Sequence, residues 1–359
     1  MPWSKIKPEL NEPDFNNVAA KKNRTMPYAE AIREAADQAL SIDASVFIMG
    51  QGVDDPSSMF GATLNLQKKY GVKRVFDTPL AENSLTGIAV GAAIGGMRPV
   101  YFHNRPDFLL LAMDQIVNHA SKWYFMFGGA VNVPLVIWAC IGRGWGSAAQ
   151  HSQALQGLFM HIPGLKLVMP ATCYDAKGLM LSSIADNNPV IILEHRYNFR
   201  HKGFVPEEPY CIPIGKGIVR KAGEDITIIA ASYMVTEAYN AAMDLAKEGI
   251  DAEVVDLRTL RPLDEELILK SVKKTGRAVV VDTGWKTGGI TGEISALIVE
   301  RRFAFLKAPV LRVACPDVPT PAGYTLEEGF YAGKSEIVMA VQKLMKCKEG
   351  MNVEKAMHI

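Results

Sequence analysis

Short apolar runs rich in branched residues, SVFIMG, RPVYF, VPLVIWAC, LKLVMP and PVIILE, alternate with longer amphipathic stretches such as YAEAIREAADQAL and DAKGLMLSSIADN. A short run that is apolar throughout suits a strand buried on both faces. Strands of that kind joined by helix-length connections build a parallel sheet covered by helices. The alternation fails between Glu194 and about Ile226, where HRYNFRHKGFVPEEPYCIPIGKG is rich in proline, glycine and charge. It then resumes with DITIIAAS, EAYNAAMDLAKEG, DAEVVDL, LDEELILKSVKKTG, RAVVVDTG, GEISALIVERRF and PVLRVACP. The fold class read from this pattern is α/β, as two doubly wound domains of which the second is smaller. A length of 359 residues agrees, since one hydrophobic core stops growing near roughly 250–300 residues.

A formal charge of +1 with 21% charged residues offers no electrostatic basis for binding nucleic acid. The N-terminal MPWSKIKPELNEPDFNNVAAKKNR is polar, and no run approaches the roughly 18 apolar residues of a membrane span, so a cytosolic protein without a membrane partner is expected. Cys140, Cys173, Cys211, Cys315 and Cys347 are far apart and form no CxxC, which suggests neither disulfides nor a zinc site. No GxxxxGK[ST] occurs and no GxGxxG opens the first βαβ unit, so hydride transfer by this chain alone has no support.

Three stretches hold candidate chemistry. In DTPLAENSLTGIAVGAAIGG, Glu82 stands directly ahead of small and apolar residues that read as a helix packed closely on the sheet. A carboxylate at a helix start is favoured by the helix dipole, and spacing alone favours that bland role. Enclosure among apolar neighbours would instead suit Glu82 to exchange a proton with a ligand nitrogen. In GRGWGSAAQHSQ, after the strand VPLVIWAC, Arg143 and loop amides could receive an anion and His151 could move a proton. A lone histidine is commonly structural, but the carboxyl end of a strand is where open α/β sheets bind ligands. In VYFHNRPDFLLLAMDQIVNHASKW, the part from Leu109 has helical spacing and His119 reads as structural. His103, Arg105, Asp107 and Phe108 form a polar and aromatic cluster directly after the strand RPVYF.

Together DTPLAENSLTGIAVGAAIGGMRPV, AMDQIVNHASKW, AAQHSQ, HIPGLKLVMPAT, DAKGLMLSSIADNNPVIILE, VVDLRTLRPLD and APVLRVACPDVPTP strongly resemble the beta subunit of thiamine-diphosphate-dependent 2-oxoacid dehydrogenases, the decarboxylating component, in the transketolase-like superfamily. The similarity runs from about Thr25 to Lys346. It implies a pyrimidine-binding domain over 25–200 and a transketolase C-terminal domain over 225–346, with an N-terminal extension 1–24, a linker 201–224 and a tail 347–359. It further implies an αβ heterotetramer containing a second beta subunit, and a lipoyl acyltransferase as downstream partner. In that assembly the alpha subunit's GDG motif holds the diphosphate and Mg2+. No GDG occurs here, and Asn187–Asn188–Pro189 lacks that upstream motif, so the chain is expected to be inactive alone.

By position, Glu82 matches the family's cofactor-activating glutamate, which hydrogen-bonds N1′ of the aminopyrimidine. Phe108 matches the ring that stacks on the pyrimidine, with Asn104 beside the cofactor, and His151 matches the histidine that handles protons or the acceptor in reductive acylation of lipoamide. Asp186 with Asn188 matches a structural monovalent-cation site, for K+. The chain departs from the family at FHNRPD, where an apolar and aromatic segment with an acidic residue and a threonine is usual. His103, Asn104 and Arg105, with Arg143 and Trp145 in GRGWGS, make the expected substrate wall more polar and cationic than an alkyl 2-oxoacid requires. Hydroxyls, phosphate or carboxylate on the substrate would suit that wall. Two alternatives stay open: a split transketolase-like enzyme passing a ketol or acyl group to an aldehyde or sugar, and a non-catalytic scaffold subunit. Retention of Glu82, Phe108 and His151 counts against the scaffold.

Overall fold

The computed structural model describes residues 2–8, 24–55, 58–142 and 146–346. The expected tail 347–359, most of the expected N-terminal extension, and Arg143 with Trp145 lie outside the described residues. The chain divides into two units, one from residues 1–143, 150–214 and 260–262, the other from 144–149, 215–259 and 263–359.

The first unit is built on a seven-stranded sheet. Its spatial order is Thr259–Arg261 at one edge, then Lys166–Val168, Val190–His195, Val136–Ile141, Arg98–His103, Val46–Gly50 and Val75–Asp77. The last six pair in parallel. Val46–Gly50 therefore lies between the strand that follows it in the chain and the next one, Arg98–His103. Right-handed crossovers then carry their helices to opposite faces. At that reversal of strand order, the carboxyl ends of Val46–Gly50 and Arg98–His103 open the crevice in which such sheets take ligands. Gly50 lets the two strands close there: its φ is +148°, and an added Cβ would stand 2.3 Å from the carbonyl oxygen of Phe102.

The helix Tyr28–Ile42 buries Tyr28, Ala31, Ile32, Ala35, Ala36, Ala39 and Leu40, the three-and-four spacing of one helical face. It packs against the helix Cys173–Ala185, which a reciprocal Thr172–Asp175 capping box begins. That second helix is buried nearly all round, Lys177 included, so a charge sits where water does not reach. Lys177 Nζ donates to Glu34 Oε1 at 2.6 Å and to the carbonyls of Pro206 at 2.6 Å and Glu207 at 3.0 Å. Arg24 also binds the Glu34 carboxylate. Burial pushes the Glu34 pKa up, but the hydrogen bonds from Arg24 and Lys177 outweigh it and leave it below the usual glutamate range.

The segment expected as a linker, 201–224, is packed along most of its length. Lys202–Phe204 pairs antiparallel with Thr25–Pro27, and Val205, Tyr210 and Ile212 are fully buried in the first unit's core. Its prolines erase helical and strand periodicity without removing the apolar side chains that drive burial, which is why the sequence reads as a connector. The units change at Ile214/Gly215, inside that segment. Past Phe108, the expected helix divides into a tight 3-10 stretch Pro106–Ala112, a wide π turn Asp114–Ala120 and the short helix Trp123–Met126. His119 Nδ1 accepts from Trp123 Nε1 at 3.4 Å.

A second buried ionisable group, Glu194, stands one residue before the end of the strand Val190–His195 and accepts from Trp138 Nε1 at 2.7 Å. Burial pushes its carboxyl up to about 8, against the Trp138 N–H that favours the charged form. The folded state thus keeps a proton that the unfolded chain releases near its ordinary value of 4.5, so stability should fall as pH rises from there to about 8. Denaturant titrations across that interval should show this decline, at most about 1.4 kcal/mol per pH unit, and Glu194→Gln should flatten it. Equal slopes in the two proteins would exclude Glu194 as the source.

The second unit holds a five-stranded sheet ordered Ile218–Lys221, Ala252–Asp256, Ile226–Ala230, Ala278–Trp285, Leu311–Cys315. The last four are parallel and the first is an antiparallel edge. Its helices Tyr233–Lys247, Glu265–Thr275 and Ile290–Arg302 lie where the sequence pattern puts them. Among the described residues, Cys140, Cys173, Cys211 and Cys315 are in no disulfide. Among the described residues no helix is long and apolar enough to cross a membrane.

Candidate active site

Glu82 is the first residue of the helix Glu82–Ile94 and is 9% exposed, so the helix start sets a carboxylate in an enclosed place. Gln51, directly after the strand end at Gly50, donates its Nε2 to Glu82 Oε1 at 3.3 Å. The helix therefore aims its acidic residue at the reversal of strand order. From the neighbouring strand, Tyr101 lies within electrostatic reach: burial, with the Glu82 charge added, pushes its phenol up to about 12.

The ring of Tyr101 rests 4.1 Å from that of His103, the last residue of the same strand. His103 is 2% exposed, and burial pulls its imidazole down to about 3, so the ring is neutral at physiological pH. Its Nε2 has no hydrogen-bond partner among the described residues. Asn104 is exposed, and Arg105 is half-buried with Nη1 enclosed and without a partner among the described residues. Asp107 is 7% exposed, and its Oδ1 accepts from Gln153 Nε2 at 2.8 Å and from the Gln153 backbone N–H at 3.3 Å. Burial raises the Asp107 pKa above the ordinary aspartate value, opposed by these hydrogen bonds.

That Asp107–Gln153 link ties the segment after one strand to the loop carrying His151. Phe108 and His151 meet edge to face, with centroids 5.3 Å apart and planes at 76°. The geometry thus brings His103, Arg105, Phe108 and His151 into one neighbourhood, with Glu82 joined to it through Tyr101. Asp186 and Asn188 lie elsewhere, just before the strand Val190–His195 and so at the amino edge of the sheet. The Asp186 carboxylate there binds the Lys166 ammonium and accepts the Asn188 backbone N–H at 2.8 Å. Arg143 lies outside the described residues.

Gln51, Tyr101 and Gln153 were not singled out by sequence. Gln51 had a readable signal, its place directly after SVFIMG at a strand's carboxyl end. Gln153 had none beyond nearness to His151, because its partner Asp107 is 46 residues away.

The family model for the pyrimidine binding domain of transketolase matches residues 24–202, and that for the transketolase C-terminal domain matches 215–337. The acetoin:2,6-dichlorophenolindophenol oxidoreductase subunit beta of Cupriavidus necator is 44% identical, with 88% of this chain and 96% of that one aligned. The 2-oxoisovalerate dehydrogenase subunit beta of Bacillus subtilis is 40% identical over 89% of this chain and 98% of its own length. The chain belongs to the 2-oxoacid dehydrogenase beta-subunit family. Within this thiamine-diphosphate-dependent family, the mitochondrial pyruvate dehydrogenase E1 component subunit beta of Bos taurus is 41% identical over 90% of the chain and 93% of its own length. Among solved structures, a split gene transketolase described as an inactive beta4 tetramer superposes with a TM-score of 0.71 at 25% identity, covering 90% of this chain and 99% of that one. The beta-subunit family and the transketolase-like fold implied by the residue patterns are thus both borne out.

Proposed function

We propose that this beta subunit works in a two-chain thiamine diphosphate enzyme that decarboxylates a 2-oxoacid and passes the acyl group to lipoamide. The observation that carries the reading is Glu82, an enclosed carboxylate at a helix start, held by Gln51 at the point where strand order reverses. The residues present fit the aminopyrimidine of the cofactor. An enclosed acid suits a heteroaromatic nitrogen, and the half-buried flat face of Phe108 suits a stacked ring. When bound, thiamine diphosphate supplies the electron sink for cleavage of the bond next to a carbonyl.

In this reading Glu82 holds a proton at the pyrimidine N1′, Phe108 fixes the ring plane and Asn104 borders the cofactor. His151, set edge-on against Phe108, moves a proton during acyl transfer to the acceptor. His103, Arg105 and Arg143 meet the substrate. The diphosphate and Mg2+ belong to an alpha subunit carrying GDG, a motif this chain lacks. A K+ ion near Asp186 and Asn188 would rest on Asn188 Oδ1, an enclosed acceptor with no partner among the described residues, since Lys166 already neutralises the Asp186 carboxylate. A second beta subunit and a lipoyl acyltransferase complete the proposed partners.

The test is reconstitution. Purified with an alpha-type chain, the protein should bind thiamine diphosphate and release carbon dioxide from a 2-oxoacid, while either chain alone should do neither. The superposition on a split gene transketolase favours one other reading, ketol transfer to an aldehyde or sugar. Lipoamide-independent ketol transfer by the reconstituted pair would replace the dehydrogenase reading.

A further inference from the structure

The residues that distinguish this chain, HNRPD, leave a particular set of atoms unsatisfied. His103 Nε2, Arg105 Nη1, Asp107 Oδ2 and Ser152 Oγ are all enclosed and have no hydrogen-bond partner among the described residues. They share one neighbourhood. The first three lie within five consecutive residues beginning at the last residue of one strand, and Ser152 sits between His151, which meets Phe108, and Gln153, which binds Asp107. Buried polar groups are normally paired, so several orphans in one place need an explanation beyond packing. Their chemistry is mixed. A guanidinium N–H only donates, a carboxylate oxygen accepts, and a hydroxyl and a neutral imidazole each do both.

Three kinds of substrate chain can be weighed against this set. An alkyl chain leaves every orphan unpaired and forfeits affinity at each. A carboxylate or phosphate would satisfy Arg105 but bring its charge towards Asp107 Oδ2. A hydroxyl donates to Asp107 and accepts from Arg105 at once. Resting on the function proposed above, we infer that this wall binds hydroxyls on the substrate chain, so that the preferred substrate is hydroxylated beyond its 2-oxo group. Arg105 and Asp107 are then its specificity-determining residues, with His103 and Ser152 as further hydroxyl partners.

A matched series tests this on the complex of the chain with the alpha-type subunit that co-purifies with it. The probes are 2-oxopentanoate, its 4-hydroxy and 5-hydroxy derivatives, and 2-oxoglutarate, assayed by carbon dioxide release. At least one hydroxy acid should exceed 2-oxopentanoate in kcat/KM by about 10⁴–10⁵-fold, the discrimination expected where a site is built around a substrate hydroxyl. Arg105→Leu should collapse that ratio towards one, and Arg105→Gln, which keeps a donor, should retain part of it. Equal or better use of 2-oxopentanoate, or preference for 2-oxoglutarate, overturns the hydroxyl inference and leaves decarboxylation standing. Cleavage of a polyhydroxy ketose with no release from any of the four acids overturns decarboxylation and supports the hydroxyl site.

Discussion

Glu82→Gln should lower turnover of the reconstituted complex by about 10²–10⁴-fold, the range that general acid–base catalysis by one positioned group contributes. The substitution keeps the volume and leaves an amide oxygen to accept from Gln51 Nε2, so the enclosed site at the start of the helix Glu82–Ile94 stays filled. What it removes is the proton that a carboxyl can hold at a pyrimidine nitrogen. If Glu82 served only the helix dipole, its loss would cost about 0.3–1 kcal/mol of stability and leave turnover alone. Steady-state rates with thiamine diphosphate in excess, read beside a thermal melt, separate the two roles. Near-normal turnover would refute the catalytic assignment.

Lys177→Met is expected to produce the largest loss of stability, about 3–5 kcal/mol, because it removes the enclosed member of an ion pair and takes a donor from half-buried Glu34 and from two backbone carbonyls. Glu34 would keep Arg24, but the carbonyls of Pro206 and Glu207 would lose their donor. The same ammonium lies 5.4 Å from the centre of the Tyr210 ring, so the change also loosens the packed segment after residue 201. At roughly 2–4 °C per kcal/mol for a domain of this size, the melting temperature should fall by roughly 6–20 °C. Adding Glu34→Leu should restore part of the loss, since two coupled partners do not cost the sum of their single changes. Stability within about 1 kcal/mol of the parent in Lys177→Met would show that the pair contributes little.

The strand and helix pattern was legible because buried parallel strands carry apolar residues on both faces. SVFIMG and PVIILE have the strand as their natural reading. Glu82 was legible for another reason, as the polar residue at the head of a helix of small side chains. Illegible features depend on distance in sequence. Lys177 lies in a stretch that reads as an ordinary amphipathic helix, and nothing nearby signals that Glu34 and two carbonyls would enclose it. The burial of Val205, Tyr210 and Ile212 was hidden by neighbouring prolines that break periodicity. The edge strand of the first sheet was hidden because its residues come from far beyond that sheet's other strands. Among candidate site residues, Phe108 and His151 do meet, while Asp186 and Asn188 lie at the opposite edge of the sheet.

That late edge strand bears on the order of synthesis. When Ile214 has left the ribosome, the first unit still lacks residues 260–262, and Lys166–Val168 has no neighbour on its outer side. The strands Ile226–Ala230 and Ala252–Asp256 of the second unit must be made before that neighbour exists. A chain made from its N-terminus thus holds an open strand edge, the feature most prone to wrong pairing, throughout that interval. The nascent protein is most exposed to self-association after its first core has gathered and before its sheet has closed, and a fragment cut at the apparent boundary would keep that liability permanently.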